Sequence, residues 1–213
     1  PIGCKRLCVD THYYEIYNQA HVSLVDLNET PITRIEGNAI VTGTTRYEID
    51  AIVLATGFDA MTGAVMNIDI RGENGLGLQD KWAAGPKAYL GLATAGFPNL
   101  FLVTGPGSPS VLSNMLPSIE QHVEWISDCI EFMNRHQHRS INPDRDAEEA
   151  WVEHVNEVAQ TSVYPGCNSW YLGANVEGKS RVFMPYLGVP PYVEKCNEVV
   201  AAGYAGFKLS GTS

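Results

Sequence analysis

The chain of 213 residues lacks a long apolar run. A membrane-spanning helix needs ~18–20 such residues in succession. The longest stretch here, Ala51 to Ala55 with its neighbours, is strand-sized, so no membrane partner is expected. Positive charge is also scarce, with 14 Lys and Arg against 24 Asp and Glu, so 14 − 24 = −10. That balance argues against a nucleic-acid partner, because phosphate binding needs clustered Lys and Arg. Paired cysteine spacing is missing too. Cys4, Cys8, Cys129, Cys167 and Cys196 are odd in number and form no C-x-x-C. Neither a disulfide framework nor a zinc site is therefore expected, and all five are read as reduced thiols in a cytoplasmic protein. A G-x-S-x-G nucleophile elbow is absent, since Gly107-Ser108-Pro109-Ser110 has neither its spacing nor its closing glycine. No G-x-G-x-x-G occurs, so the phosphate-cradling turn of a dinucleotide fold is missing. The start, Pro1-Ile2-Gly3-Cys4-Lys5-Arg6, has no initiator Met and no signal-peptide core. It reads as the interior of a longer chain.

What is present is globular. Hydrophobic residues make up 45% and charged residues 18%, which excludes intrinsic disorder. The length fits one large domain or two small ones. From His21 to Gly57 the pattern predicts strands at Val22–Val25, Ile32–Ile35 and Ala39–Val41, the last after the turn pair Gly37-Asn38. Tyr47 to Asp50 leads into Ala51-Ile52-Val53-Leu54-Ala55, apolar at every position. That is the signature of a strand buried on both faces. Residues 60 to 98 are Gly-rich and irregular, and Asn99 to Thr104 predicts a second buried strand.

Leu112, Met115, Leu116, Ile119, Val123, Ile126, Cys129, Ile130 and Met133 then recur at helical spacing, with Pro117 tolerable only in the first turn. A second helix is expected from about Asp144 to Ser162, burying Ala147, Trp151, Val155, Val158 and Ala159. The tail reads as loop until a short helix at Val193 to Ala202. Together these elements predict an α/β architecture. No metal site is expected. His136-Gln137-His138 reads as a solvated helix end, and Glu148, Glu149, Glu153 and Glu157 around His154 as a solvated helix face. A buried strand, a Gly-rich turn and a helix N-terminus mark where an open α/β sheet places a ligand. Gly105-Pro106-Gly107 and Val53 to Gly57 both stand in such positions.

The order of several blocks adds more. Ala55-Thr56-Gly57-Phe58-Asp59-Ala60-Met61-Thr62-Gly63 resembles the ATGFDxxTG signature of flavin-dependent Baeyer–Villiger monooxygenases. Gly3-Cys4-Lys5-Arg6 with Tyr13-Tyr14-Glu15, and Gly105 to Pro109 with Ser113-Asn114-Met115, are similar to further blocks of that family. So are Ile119 to Trp125 and Ser169-Trp170-Tyr171-x-Gly173-Ala174-Asn175-Val176-x-Gly178-Lys179. The resemblance runs from end to end and is nearest the branch acting on aryl ketones and steroid side chains. Glu177 and Ser180 stand where the family usually has Pro, and Val189 where it usually has Gly.

The resemblance implies the C-terminal part of a flavoprotein with two Rossmann-like dinucleotide-binding domains, for FAD and NADPH. Residues 1–57 would close the NADPH-binding domain. Residues 58–213 would form the C-terminal part of the FAD-binding domain, with long helices and a mobile active-site loop near 165–190. It implies oxygenation of a small ketone by NADPH and O2 to an ester or lactone. Arg6 would be the catalytic cation and Lys5 the partner of the NADPH 2′-phosphate. Thr56, Gly57, Asp59, Asn114, Met115 and Trp170 would contact cofactors. Ser110, Val111, Leu112 and Met184 would line the ketone pocket. Two alternatives remain at this point: an N- or S-oxygenating flavin enzyme, or a segment inactive by itself because it holds neither G-x-G-x-x-G. Unpaired sheet residues should then leave apolar patches exposed.

Overall fold

The computed structural model describes residues 2–211; Pro1, the first residue of the expected internal start, lies outside them. The chain divides into two compact units, one of residues 6–57 and one of residues 1–5 with 58–213. Each is described by itself.

Residues 6–57 hold one short helix, α1 (Tyr13–Ile16), and three strands, β1 (Ile32–Glu36), β2 (Ala39–Thr42) and β3 (Thr45–Glu48). The strands form an antiparallel meander in the order β1-β2-β3. Gly37-Asn38 makes the first turn as its dipeptide predicts, with Gly37 in the left-handed region at φ 54°. Ile35 faces Ile40 and Val41 faces Arg46 across the ladders. The middle strand supplies the buried residues, Ala39, Val41 and Thr42. Two expected strands do not form. Val22–Val25 and Ala51–Ala55 have no strand assignment, and Ala51 to Ala55 are all exposed. A strand becomes a buried strand only when neighbours take its amide and carbonyl groups. Among the described residues no strand pairs with 51–55.

Residues 58–213 are built on three long helices. α4 (Met115–Arg135) begins where its sequence predicts, with Pro117 in the first turn and Asn114 as N-cap. The Asn114 Oδ1 accepts the Leu116 N–H at 3.1 Å, a cap of the kind that contributes about 1 kcal/mol. α5 (Arg145–Gln160) starts on the Asp144 cap, and α6 (Val189–Ala201) carries Pro190 and Pro191 at its start. Proline is harmless there because those N–H groups have no intrahelical acceptor. Two single-turn helices, α2 (Gly63–Met66) and α3 (Leu78–Lys81), punctuate the irregular Gly-rich region. β4 (His138–Pro143) pairs antiparallel with β5 (Phe207–Gly211), joining the end of α4 to the tail.

The main core gathers Trp125, Cys129 and Met133 of α4, Trp151, Val155 and Ala159 of α5, and Tyr192 and Cys196 of α6. A second cluster, Leu78, Trp82, Ala88, Phe97 and Leu102, packs under the irregular segment. Three expectations are corrected here. The stretch 99–104 is not a strand. Phe101 makes an isolated bridge to Ala93, and Val103 is half exposed. The buried face of α4 runs through Ser118, His122, Trp125, Cys129 and Met133, while Leu116, Val123 and Ile130 are exposed. That helix has two apolar stripes, and spacing alone does not say which one the core takes. Glu148 is the third: it lies in the interior at 3% exposure instead of on a solvated face.

Candidate active site

Residues 58–63 and 175–184 lie against each other. The Asn175 Nδ2 donates to the Phe58 carbonyl at 2.7 Å. The Lys179 ammonium pairs with the Asp59 carboxylate and donates to the Ala60 carbonyl at 2.8 Å. Lys179 is the less exposed partner, its side chain 13% accessible against 45% for Asp59. Gly63 completes the turn. A Cβ there would stand 2.6 Å from the Asp59 Cβ, so any other residue would push Asp59 off Lys179. Arg181 braces the facing loop, its Nη1 donating to the carbonyls of Gly173 at 2.8 Å and Lys179 at 2.6 Å. Ser180 donates to the Ala83 carbonyl at 3.1 Å, a bond that proline at this position would forfeit.

Beside this junction opens a cleft of about 280 Å³, lined by Asp59, Thr62, Met66, Trp82, Lys179 and Met184 among others. Its floor is rigid. Met184 is buried and its carbonyl accepts the Gly107 N–H, while Tyr186 N–H donates to the Ser108 carbonyl at 2.7 Å. The Gly105–Pro109 turn is thereby pinned to the strand-like segment carrying Met184. Trp151 adds a bond from Nε1 to the Gly107 carbonyl at 3.1 Å. Ser108 spends its hydroxyl on the Gly105 carbonyl at 2.7 Å, so it serves the turn and not hydrolytic chemistry.

The expected site residues fall into three groups. Asp59 and Met184 line the same cleft. Ser110, buried, and Val111 and Leu112, half-buried, form the turn between the pinned Gly-rich loop and α4, and Asn114 and Met115 stand exposed at the N-terminus of that helix. Trp170 opens the turn Trp170–Leu172, capped by the buried Ser169 and packed at a tilt of 53° on Tyr171 with ring centroids 4.4 Å apart. Lys5 is exposed in the same unit, whereas Arg6, Thr56 and Gly57 are exposed residues of the 6–57 unit. Lys179, Asn175, Thr62 and Trp82 were not among the expected site residues. The first two are legible in retrospect, as the polar positions of the SWYxGANVxGK block.

Two buried polar networks flank the helices. The His122 Nδ1 accepts the Thr104 N–H at 2.8 Å, so the ring proton sits on Nε2, 2.9 Å from the Tyr192 hydroxyl, which donates in turn to the Leu90 carbonyl at 2.8 Å. Only neutral imidazole satisfies this chain, and burial lowers the His122 pKa to about 4. Glu148 accepts from Lys81 at 2.8 Å, from Thr94 at 3.0 Å and from the Ala95 N–H at 2.8 Å. Burial depresses the Lys81 pKa, and the Glu148 carboxylate works in the opposite direction. Both networks are architectural. Among the described residues no cluster of His, Cys, Asp and Glu could hold a metal ion, and no helix is long and apolar enough to cross a membrane. His136 caps α4 through its own turn, with Nδ1 2.8 Å from the Phe132 carbonyl, and His154 lies 3.1 Å from the Tyr186 hydroxyl.

One expectation about cysteine is overturned. Cys4 and Cys167 are joined by a disulfide across 163 residues of sequence. Spacing could not foretell it, because the fold and not the local sequence brings residue 4 to residue 167. Cys8, Cys129 and Cys196 are free thiols, the last two fully buried and pushed up to about 11 by that burial.

The chain is 40% identical over 211 residues to cyclopentanone 1,2-monooxygenase of Comamonas sp. (strain NCIMB 9872), covering 99% of this chain and 38% of that protein. It is 42% identical over 207 residues to phenazine N-monooxygenase of Lysobacter antibioticus, covering 96% and 38%. A solved structure of oxidised steroid monooxygenase bound to NADP superposes with a TM-score of 0.87 at 47% identity, covering 99% of this chain and 40% of that one. No family profile matches the chain. By sequence and fold the chain is similar to the C-terminal part of Baeyer–Villiger monooxygenases. It spans about 40% of the length of the relatives it matches.

Proposed function

We propose that the chain acts within an NADPH- and FAD-dependent monooxygenase that inserts oxygen beside the carbonyl of a small ketone. Ketone, O2, NADPH and a proton give an ester or lactone, water and NADP. The observation that carries this reading is the pairing of Phe58 and Asp59 with Asn175 and Lys179. Two signature blocks more than a hundred residues apart in sequence meet there at one cleft. The chain carries no G-x-G-x-x-G, so the activity is proposed for a polypeptide that also supplies those turns. In that setting residues 1–57 close the NADPH-binding domain and residues 58–213 belong to the FAD-binding domain. A cytoplasmic location is part of the same proposal.

The residues present suit two nucleotide cofactors. Gly57 has φ 80° and open space where a Cβ would stand, which leaves its backbone approachable beside Thr56. The first turn of the 21-residue α4 is open to solvent at Asn114 and Met115, and its positive dipole end suits the anionic edge of a reduced flavin. FAD, when bound, supplies the oxygen-activating chemistry, and NADPH the reducing equivalents. Arg6 holds a permanent positive charge where an oxyanion develops, because guanidinium stays protonated and offers a planar fork of donors. Lys5 meets the 2′-phosphate of NADPH. Asp59, held by Lys179, and Trp170 fix the surrounding loops against the cofactors. Ser110, Val111, Leu112 and Met184 shape the ketone pocket.

In the complete enzyme, Arg6→Ala should slow ester formation roughly 10²–10³-fold, equivalent to ~2.7–4 kcal/mol, while NADPH still reduces the flavin. Lys5→Ala should instead raise KM for NADPH and narrow the preference over NADH. Stopped-flow spectra separate the two, because flavin reduction and the oxygenation steps are distinct optical phases. Ester formation at the parental rate in Arg6→Ala overturns the assignment of Arg6. The identity to a phenazine N-monooxygenase favours one second reading, oxygenation of an aromatic nitrogen. Products distinguish them: a lactone from a cyclic ketone supports the first, and an N-oxide with no ester supports the second.

A further inference from the structure

Residues 2–10 belong to no helix or strand, and of residues 2–5 only Cys4 is buried, at 7% exposure. Its partner Cys167, at 8%, lies three residues before Trp170, between exposed Gly166 and Asn168. The two Cα atoms are 5.5 Å apart, the ordinary span of a disulfide. A single bond therefore fastens the segment ending in Lys5 to the loop that presents Trp170. Both cysteines are buried, but each has an exposed residue on either side of it in sequence. Cys129 and Cys196 are sealed in the core, at 0% exposure.

We propose that Cys4–Cys167 is a thiol–disulfide exchange site that acts as a clasp on the two segments. Closed, it holds residues 2–5 on the 163–173 loop; opened by a dithiol reductant, it releases both. Its consequence for catalysis rests on the reading of Lys5 and Trp170 as NADPH contacts. In the opening step a thiolate of the reductant attacks the Cys167 sulfur, the Cys4–Cys167 bond breaks, and Cys4 leaves as thiolate. The second thiol of the reductant then attacks the mixed disulfide and frees Cys167. Two electrons and two protons pass to the protein, and the reductant ends as its own disulfide. The released Cys167 thiol has an acceptor waiting, the Val163 carbonyl at 3.0 Å. Closure is the reverse step, with a glutathione-class disulfide taking up the electrons. Disulfides in reducing compartments are mostly transient and regulatory, which suits a bond that exchange opens and closes.

The test equilibrates the protein in dithiothreitol or in oxidised glutathione, alkylates free thiols, and maps peptides without reduction. Hydrogen exchange is followed in parallel over residues 2–10 and 163–173. The expected result is a Cys4–Cys167 peptide in the oxidised sample, and faster exchange of both segments after reduction with the helices unchanged. Cys4→Ser should exchange like the reduced protein under both conditions, and Cys8→Ser should respond like the parent. A missing cross-linked peptide, or a cross-link whose reduction leaves exchange unaltered, overturns the proposal. In the complete enzyme, reduction should also raise KM for NADPH. If exchange responds and that KM does not, the clasp stands and the reading of Lys5 and Trp170 as NADPH contacts fails.

Discussion

Val53 and Leu54 lie in a run of five apolar residues, yet they are 88% and 79% exposed. Leu90 and Leu92 lie in an irregular Gly- and Ala-rich stretch, yet they are 1% and 0% exposed. Among residues 2–211 an apolar run is buried only where other surfaces of the same chain meet it, because burial is a property of surfaces that meet. Around Leu90 and Leu92 three helices and two anchored loops supply those surfaces. In residues 6–57 the three-stranded meander has no helix of useful length to pack on. The apolar exposure expected of unpaired sheet residues is found there at Ile52, Val53 and Leu54, whereas Leu102 of the other expected strand is buried.

The contrast can be broken by mutation, and the largest effect should come from Trp151. Its ring stacks on Tyr186 with centroids 5.3 Å apart, and its Nε1 holds the Gly107 carbonyl. Trp151→Ala should cost about 3–5 kcal/mol in urea denaturation, as large aromatic truncations in cores do. Glu148→Ala should follow at about 3 kcal/mol, since it leaves the Lys81 ammonium without its counter-charge and the Ala95 N–H without its acceptor. Lys81→Met combined with Glu148→Leu should recover much of that loss, because the cost lies in an uncompensated buried charge. A double variant as unstable as the single one would mean that packing, not charge, holds this corner together.

The third effect depends on pH. The folded pKa of His122, about 4, lies below the ordinary value of 6.5, so the native state resists the proton that the unfolded chain accepts. The stability this confers is complete above about pH 6.5 and is lost as pH falls toward 4. Its full size is at most about 3 kcal/mol. Denaturation midpoints measured across that window should slope in the parent and flatten in His122→Leu, which is less stable at every pH. An unchanged slope would move the pH dependence to other groups. Smallest of all should be Leu54→Ser in the 6–57 unit, within about 0.5 kcal/mol of the parent. A loss comparable to that of Trp151→Ala would erase the difference between the two regions.

The blocks that meet at the cleft could be read in advance because motifs are local. The ATGFDxxTG and SWYxGANVxGK blocks are contiguous, and Asn114 with Pro117 marks the start of α4 by simple capping chemistry. The same locality explains the misreadings. Leu116, Val123 and Ile130 repeat as faithfully as Trp125, Cys129 and Met133, and only the packing of α5 and α6 selects between the two stripes. Glu148 looks like its neighbours Glu149 and Glu153 until Lys81, 67 residues earlier, is brought to it. β4 was missed because its partner β5 lies at the far end of the chain, and a polar two-stranded ribbon has no alternation to betray it.

By itself, then, the sequence determined what backbone geometry and short-range chemistry dictate: the start of α4 at Asn114, Pro117 in its first turn, the Gly37-Asn38 turn, the order of the signature blocks and the family they resemble. Tertiary structure alone decided the pairing of Asp59 with Lys179, the bond between Cys4 and Cys167, the burial of Glu148 and the exposure of Val53 and Leu54. Each of these depends on groups far apart in the chain. Their free energy exists only once long loops have closed and two surfaces have excluded water between them.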